Sequence, residues 1–203
     1  MKARLILAAA VATLLCVTAS AEGFNFGVKG GISGNWMPRT FIDYGDRVVP
    51  NFGFYGGITG ALDISDMAFG QVEVLYSRKG ISTRSDIQGK YSRNISYIQV
   101  PVLFGMKMYS ERFSLMLGPE FNFCIGNKIK CDYPNFSSMG EPRKFNFGIA
   151  VQATFMVTDN LGVDVKADVG LTKTMQNAVN PTTGADDQGR NLGVLLGLCY
   201  KFE

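Results

Sequence analysis

Residues 145–172 read FNFGIAVQATFMVTDNLGVDVKADVGLT. Phe145, Phe147, Ile149, Val151 and Phe155 alternate with Asn146, Gly148, Gln152 and Thr154. After Thr158–Asn160, Leu161, Val163, Val165, Val169 and Leu171 alternate with Asp164, Lys166 and Asp168. A period of two sends successive side chains to opposite faces of a strand. Two such runs with so short a connection pair as an antiparallel hairpin. One face of the hairpin is apolar, and the other carries glycine, amides and charge.

The same grammar extends through the chain. It predicts strands over 23–34, 52–63, 68–79, 95–108, 112–125, 145–157, 161–172 and 191–202, eight in all. Periodicity alone does not say whether the apolar faces meet inside a sandwich or look out into lipid. The connections decide it. Ile64–Met67, Tyr109–Glu111 and Thr158–Asn160 are short, whereas Asn35–Asn51, Gly80–Asn94, Gly126–Lys144 and Lys173–Arg190 are long and polar. Strict alternation of short and long connections puts every long loop at one end, as in outer-membrane barrels, with both termini at the other, periplasmic end. Two aromatic bands agree. Phe24, Phe26, Phe113, Phe155, Tyr200 and Phe202 fall at the short-turn end, and Phe52, Phe54, Phe123, Phe145 and Phe147 toward the long loops. The expected fold is therefore an all-β, eight-stranded, antiparallel up-and-down transmembrane barrel. Closure pairs every backbone amide where lipid offers no partner.

Composition and the N-terminus fit this reading. The 203 residues suit one domain, with 24 glycines and 12% aromatics. Lys2 and Arg4 precede an apolar run from Leu5 to Val17, and Ala19-Ser20-Ala21 supplies the small residues of a cleavage site. Residues 1–21 are expected to be a signal peptide cut between Ala21 and Glu22, leaving a barrel domain over 22–203. Cys16 follows the bulky Leu15, which argues against lipoprotein processing. The formal charge of +3, less the two leader cations, leaves +1, too weak a balance for nucleic acid as a partner. Cys124, Cys131 and Cys199 remain. Cys124 and Cys131 either pair across the base of a loop or stay as thiols.

Two further stretches resemble the PorT-like outer-membrane β-barrel family. Glu73-Val74-Leu75-Tyr76-Ser77-Arg78-Lys79-Gly80 is similar to that family's third-strand motif, and Tyr97-Ile98-Gln99-Val100-Pro101-Val102-Leu103 to its fourth. Gly118-Pro119 and Phe145-Asn146-Phe147-Gly148 also fit. The resemblance implies the barrel and its outer-membrane location, and it allows a role in a protein secretion machine. Pro101 lacks a ladder donor inside a barrel without edges, so a bulge is expected there.

The chain has no histidine, which excludes a Ser–His hydrolase and removes the commonest zinc ligand. No phosphate-binding loop, dinucleotide fingerprint or Cys-x-x-Cys pair is present, so neither enzyme activity nor a cofactor is expected. Asp186-Asp187 reads as a solvated loop pair. What remains is the inward face. Lys29, Lys107, Lys166 and Lys201 are expected to meet Glu73, Glu120, Asp164 and Asp168 there, among Gln71, Gln99, Asn122 and Gln152. Eight strands enclose just enough room for side chains, so these groups should form a paired network. The expected function is a structural or interaction barrel with a filled interior. Its partners are outer-membrane lipid and possible envelope or secretion-machine proteins, and a narrow porin-like channel is the alternative.

Overall fold

The computed structural model describes residues 23–36, 47–49, 51–85, 89–108, 112–131, 141–176 and 189–202. Eight long strands run β1 (Phe24–Trp36), β2 (Asn51–Asp63), β3 (Ala68–Ser85), β4 (Gly89–Met108), β5 (Phe113–Cys131), β6 (Phe145–Met156), β7 (Leu161–Gly170) and β8 (Leu192–Lys201). Each pairs antiparallel with its neighbour in sequence, and β8 pairs with β1, so the sheet closes. Partners can be followed around the barrel from Phe24 to Leu62, Gly70, Phe104, Leu117, Val151, Ala167 and Val194. The circuit returns to β1 at Gly34, ten residues beyond its start. Such a stagger tilts the strands by about 35–45° and leaves a lumen that side chains can fill.

Alternation then sorts the residues. Along β7, Asp164, Lys166 and Asp168 are buried, whereas Leu161, Val165 and Val169 are exposed on the outer wall. Val102, Phe104 and Met106 of β4 and Leu192, Val194, Leu196 and Leu198 of β8 share that wall. A soluble protein does not leave so continuous an apolar belt in water. Aromatic pairs form at both ends of the belt. Phe26 stacks on Phe202 and Tyr200 meets it edge-on at the turn end, while Phe121, Phe123, Phe145 and Phe147 cluster toward the loop end.

Several expectations need correction. Gly80–Asn94 was expected to be a long loop, but β3 runs to Ser85 and β4 starts at Gly89. The stretch is mostly polar at odd and even positions alike, so alternation does not reveal its strands. For the same reason β5 continues to Cys131, and Arg47–Val49 pairs with the outer part of β3. Glu141–Pro142 and Met175–Gln176 add a small two-stranded pairing. Cys124 and Cys131 lie seven positions apart on one extended strand, roughly 23 Å at 3.3 Å per residue. A disulfide needs Cα atoms within about 7 Å, so the two cannot bridge, and Cys124 is a free thiol. Nor does Pro101 create a bulge. The β3–β4 ladder skips the two pairs beside it and resumes in the same register. The register shift falls instead where Tyr97 pairs with Cys124 and Ser96 with Gly126, leaving Ile125 unmatched. The expected signal peptide and its cleavage site at Ala21–Glu22, the turn Tyr109–Glu111, Asp186-Asp187 and the middles of all four long connections lie outside the described residues.

Val165 is 45% exposed on the outer wall. Val165→Arg should cost about 2–4 kcal/mol if that wall faces the bilayer centre, whereas Asp159→Arg in an exposed turn should fold like wild type. Heat-modifiable migration on gels measures the folded fraction, and equal folding of the two variants would contradict the assigned faces.

Candidate functional site

The lumen is the most strongly organised part of the molecule. Lys29 of β1 reaches across to Glu73 of β3 at 2.9 Å, to Asp164 of β7 at 3.2 Å and to the amide oxygen of Gln152 of β6 at 2.8 Å. Lys166 of β7 stands 3.9 Å from the other oxygen of Glu73 and 3.1 Å from Glu120 of β5. Lys79 of β3 lies 3.6 Å from Glu120 and pairs closely with Asp168. Charge thus alternates along one continuous chain: Asp164, Lys29, Glu73, Lys166, Glu120, Lys79, Asp168. All seven side chains are buried.

Four carboxylates against three ammonium groups leave one negative charge in excess, which neutral donors share. Tyr55 donates to Asp164 at 3.1 Å, and Gln71 to Glu73 at 2.7 Å. Gln99 and Asn122 both donate to Glu120, at 2.7 and 3.0 Å, and Asn191 donates to Asp168 at 3.3 Å. Hydrogen bonds to a carboxylate are charge-assisted and stronger than neutral ones. This lowers the cost of ions buried away from water.

Two glycines of β8 make room for this chain. A methyl group at Gly197 would collide with the Tyr55 hydroxyl and the Gly30 carbonyl, and one at Gly193 with the Asp168 carboxylate. Apolar layers cover the chain at both ends. Phe69, Leu103, Met116 and Ala150 form one, and Ile95, Tyr97 and Met175 the other, with Met175 brought in from the small two-stranded pairing. Between the layers, Tyr55, Leu75 and Leu195 pack against one another. A cavity of about 60 Å³ opens beside Lys29 and Gln71 at the turn end, and one of about 20 Å³ lies beside Asp168 and Asn146 at the loop end.

The structure brings together Lys29, Gln71, Glu73, Gln99, Glu120, Asp164, Lys166 and Asp168. It places two expected members elsewhere. Lys107 pairs with Asp63 at 3.0 Å on the half-exposed rim, and Lys201 is exposed at the end of β8. Both follow the inward parity, but both sit at strand ends, where the wall gives way to water. Sequence reasoning missed Lys79, Tyr55 and Arg93. Lys79 keeps the parity of Glu73 and Ser77, which was the available signal. Arg93, 2% exposed and bonded through its Nε to Asn127, falls in the stretch read as a loop. Among the described residues no cluster of His, Cys, Asp and Glu could hold a metal ion.

Residues 18–176 match the protein family described as "Outer membrane protein beta-barrel domain". Two solved structures share the fold. One is Neisserial surface protein A, at 15% identity and a TM-score of 0.54, covering 89% of this chain and 100% of that one. The other is OprG from Pseudomonas aeruginosa, at 11% identity and 0.51, covering 90% and 97%. No curated protein matches the chain.

Removing Lys166 leaves Glu73 and Glu120 facing each other without their shared cation. Lys166→Met should therefore cost about 3–5 kcal/mol, whereas Lys107→Met, which breaks a half-exposed rim pair, should cost less than about 1 kcal/mol. Urea unfolding of the barrel in detergent micelles compares them, and similar losses for the two would contradict a buried chain.

Proposed function

The chain belongs to the outer membrane protein β-barrel domain family, and from that premise we propose that it is a non-conducting, non-enzymatic scaffold whose work is done by the surface it presents at its loop end. The alternating charge chain carries this reading. A conducting lumen needs a continuous aqueous path, and here side chains from six strands meet at 2.8–3.9 Å across the axis, between two apolar layers. The cavities beside Lys29 and beside Asp168 are each small beside a pore.

In this reading residues 1–21 export the chain and are cut at Ala21–Glu22, both termini lie in the periplasm, and the loop end faces the cell exterior. The buried chain fixes which strands stand opposite one another, so the outer ends of β3, β4 and β5 are held at a set height above the bilayer. The motifs of β3 and β4 favour one variant of the reading, in which this rigid barrel is a component of an envelope secretion machine. Crosslinking in intact cells from the β3–β4 hairpin would then capture other outer-membrane proteins.

The direct test is electrical. Purified folded protein in planar lipid bilayers is expected to add no conductance steps above background at physiological salt. Reproducible steps in the wild type would make it a narrow channel.

A further inference from the structure

A buried polar atom without a hydrogen-bond partner is costly, and in this barrel such atoms gather at one place. Tyr97 of β4, Asn146 of β6, Asp168 of β7 and Asn191, just ahead of β8, all line the cavity of about 20 Å³ at the loop end. The Tyr97 hydroxyl, both ends of the Asn146 amide, Asp168 Oδ1 and Asn191 Oδ1 are buried and unpartnered. Tyr97, Asn146 and Asp168 are only 3%, 7% and 2% exposed. Among the described residues, no unpartnered buried atom belongs to a residue lining the larger cavity at the turn end.

The backbone provides the space. Gly148 and Gly170 pair across β6 and β7, and both line the cavity. They hold the inward parity of Asn146 and Asp168, so neither sends a side chain into the lumen. About 10–15 Å³ is enough for one water molecule. The cavity therefore takes a single body of that size and no organic solute. Thr174 also lines it, and Met175, next along the chain, packs with Tyr97 in the apolar layer at this end.

Oxygen predominates among the unpartnered atoms. Asp168 Oδ1, Asn191 Oδ1 and Asn146 Oδ1 can only accept, and the Tyr97 hydroxyl can do so as well. With neither end of its amide held, Asn146 is free to turn its oxygen inward. Charge points the same way. The alternating chain ends at Asp168, whose Oδ2 takes both Lys79 and Asn191 and leaves Oδ1 over. Glu120 and Asp168 line the cavity against the ammonium of Lys79. Arg93 bonds Asn127 and is not among the lining residues. Asp164, at the other end of the chain, also keeps an unpartnered oxygen but borders neither cavity.

We propose that this cavity binds one small monovalent metal cation, held by Asp168, Asn146, Asn191 and Tyr97. The ion continues the alternation of charge one step past Asp168 and ties β4, β6, β7 and the start of β8 together at the loop end. A single free carboxylate oxygen beside an ammonium group is too little charge for calcium, which takes six to eight oxygens, several of them from carboxylates. A water molecule could donate only two hydrogen bonds to these acceptors and would leave the charge as it was.

The full-length folded barrel in neutral detergent is unfolded with urea at one ionic strength in sodium, potassium or choline chloride. Choline is too large for the cavity. Sodium or potassium should raise the ratio of folded to unfolded protein about tenfold over choline, as mass action gives at ten times the dissociation constant, and the gain should saturate. Asn146→Leu should lose the gain, and Tyr97→Phe, on another strand, should reduce it severalfold. In choline, Tyr97→Phe should be no less stable than the wild type, because only an unpartnered hydroxyl is gone. Equal stability of the wild type in all three salts would mean that the cavity holds water and would overturn the proposal. So would a gain that either variant keeps in full.

Discussion

The interior of an eight-stranded barrel is too narrow for water to shield charges from one another, so every ion in it must find its partner on a facing strand. The arrangement of this molecule follows from that constraint. Lys29, Lys166 and Lys79 each bridge two carboxylates, and the four carboxylates come from β3, β5 and β7. A slip of one residue in any of these strands would turn its charges into the lipid and its valines into the lumen. The chain therefore specifies register as well as contributing stability. Gly193 and Gly197 are part of the same device, because any side chain on that stretch of β8 would displace Asp168 or Tyr55.

That constraint also explains what could be read from the sequence. Within the bilayer the two faces of a strand meet opposite demands, so Val163-Asp164-Val165-Lys166 declares both its conformation and its orientation. The eight strands, their order and most of the lumen residues follow from such runs. Outside the bilayer the demand lapses. Residues 80–85 and 89–94 pair with each other with nothing in their pattern to mark it, and Arg93 and the outer half of β5 were missed with them. Parity without depth is the other source of error. Lys107 and Lys201 have the parity of the lumen but stand at its rim, where water competes for them. The bulge is a third case. Pro101 advertises a missing donor, yet the barrel absorbs it by skipping two ladder pairs, while Ile125, which has no such mark, takes the extra position.

Every ion of the buried chain has an opposite charge within 4 Å, but Glu73, Asp164 and Asp168 each keep one buried oxygen without a hydrogen-bond partner, so pairing of charge rather than full hydrogen bonding holds the lumen together.

Pairing of this kind requires a lumen from which water is largely excluded. A double-mutant cycle on Lys29 and Glu73, using Lys29→Met and Glu73→Gln and read by urea unfolding in micelles, measures this through the coupling between two charges 2.9 Å apart. A side-chain-filled lumen predicts a coupling above about 2 kcal/mol that survives molar salt. A coupling below about 0.5 kcal/mol that disappears as salt is added is the behaviour of a solvated pair, and it would contradict the filled barrel.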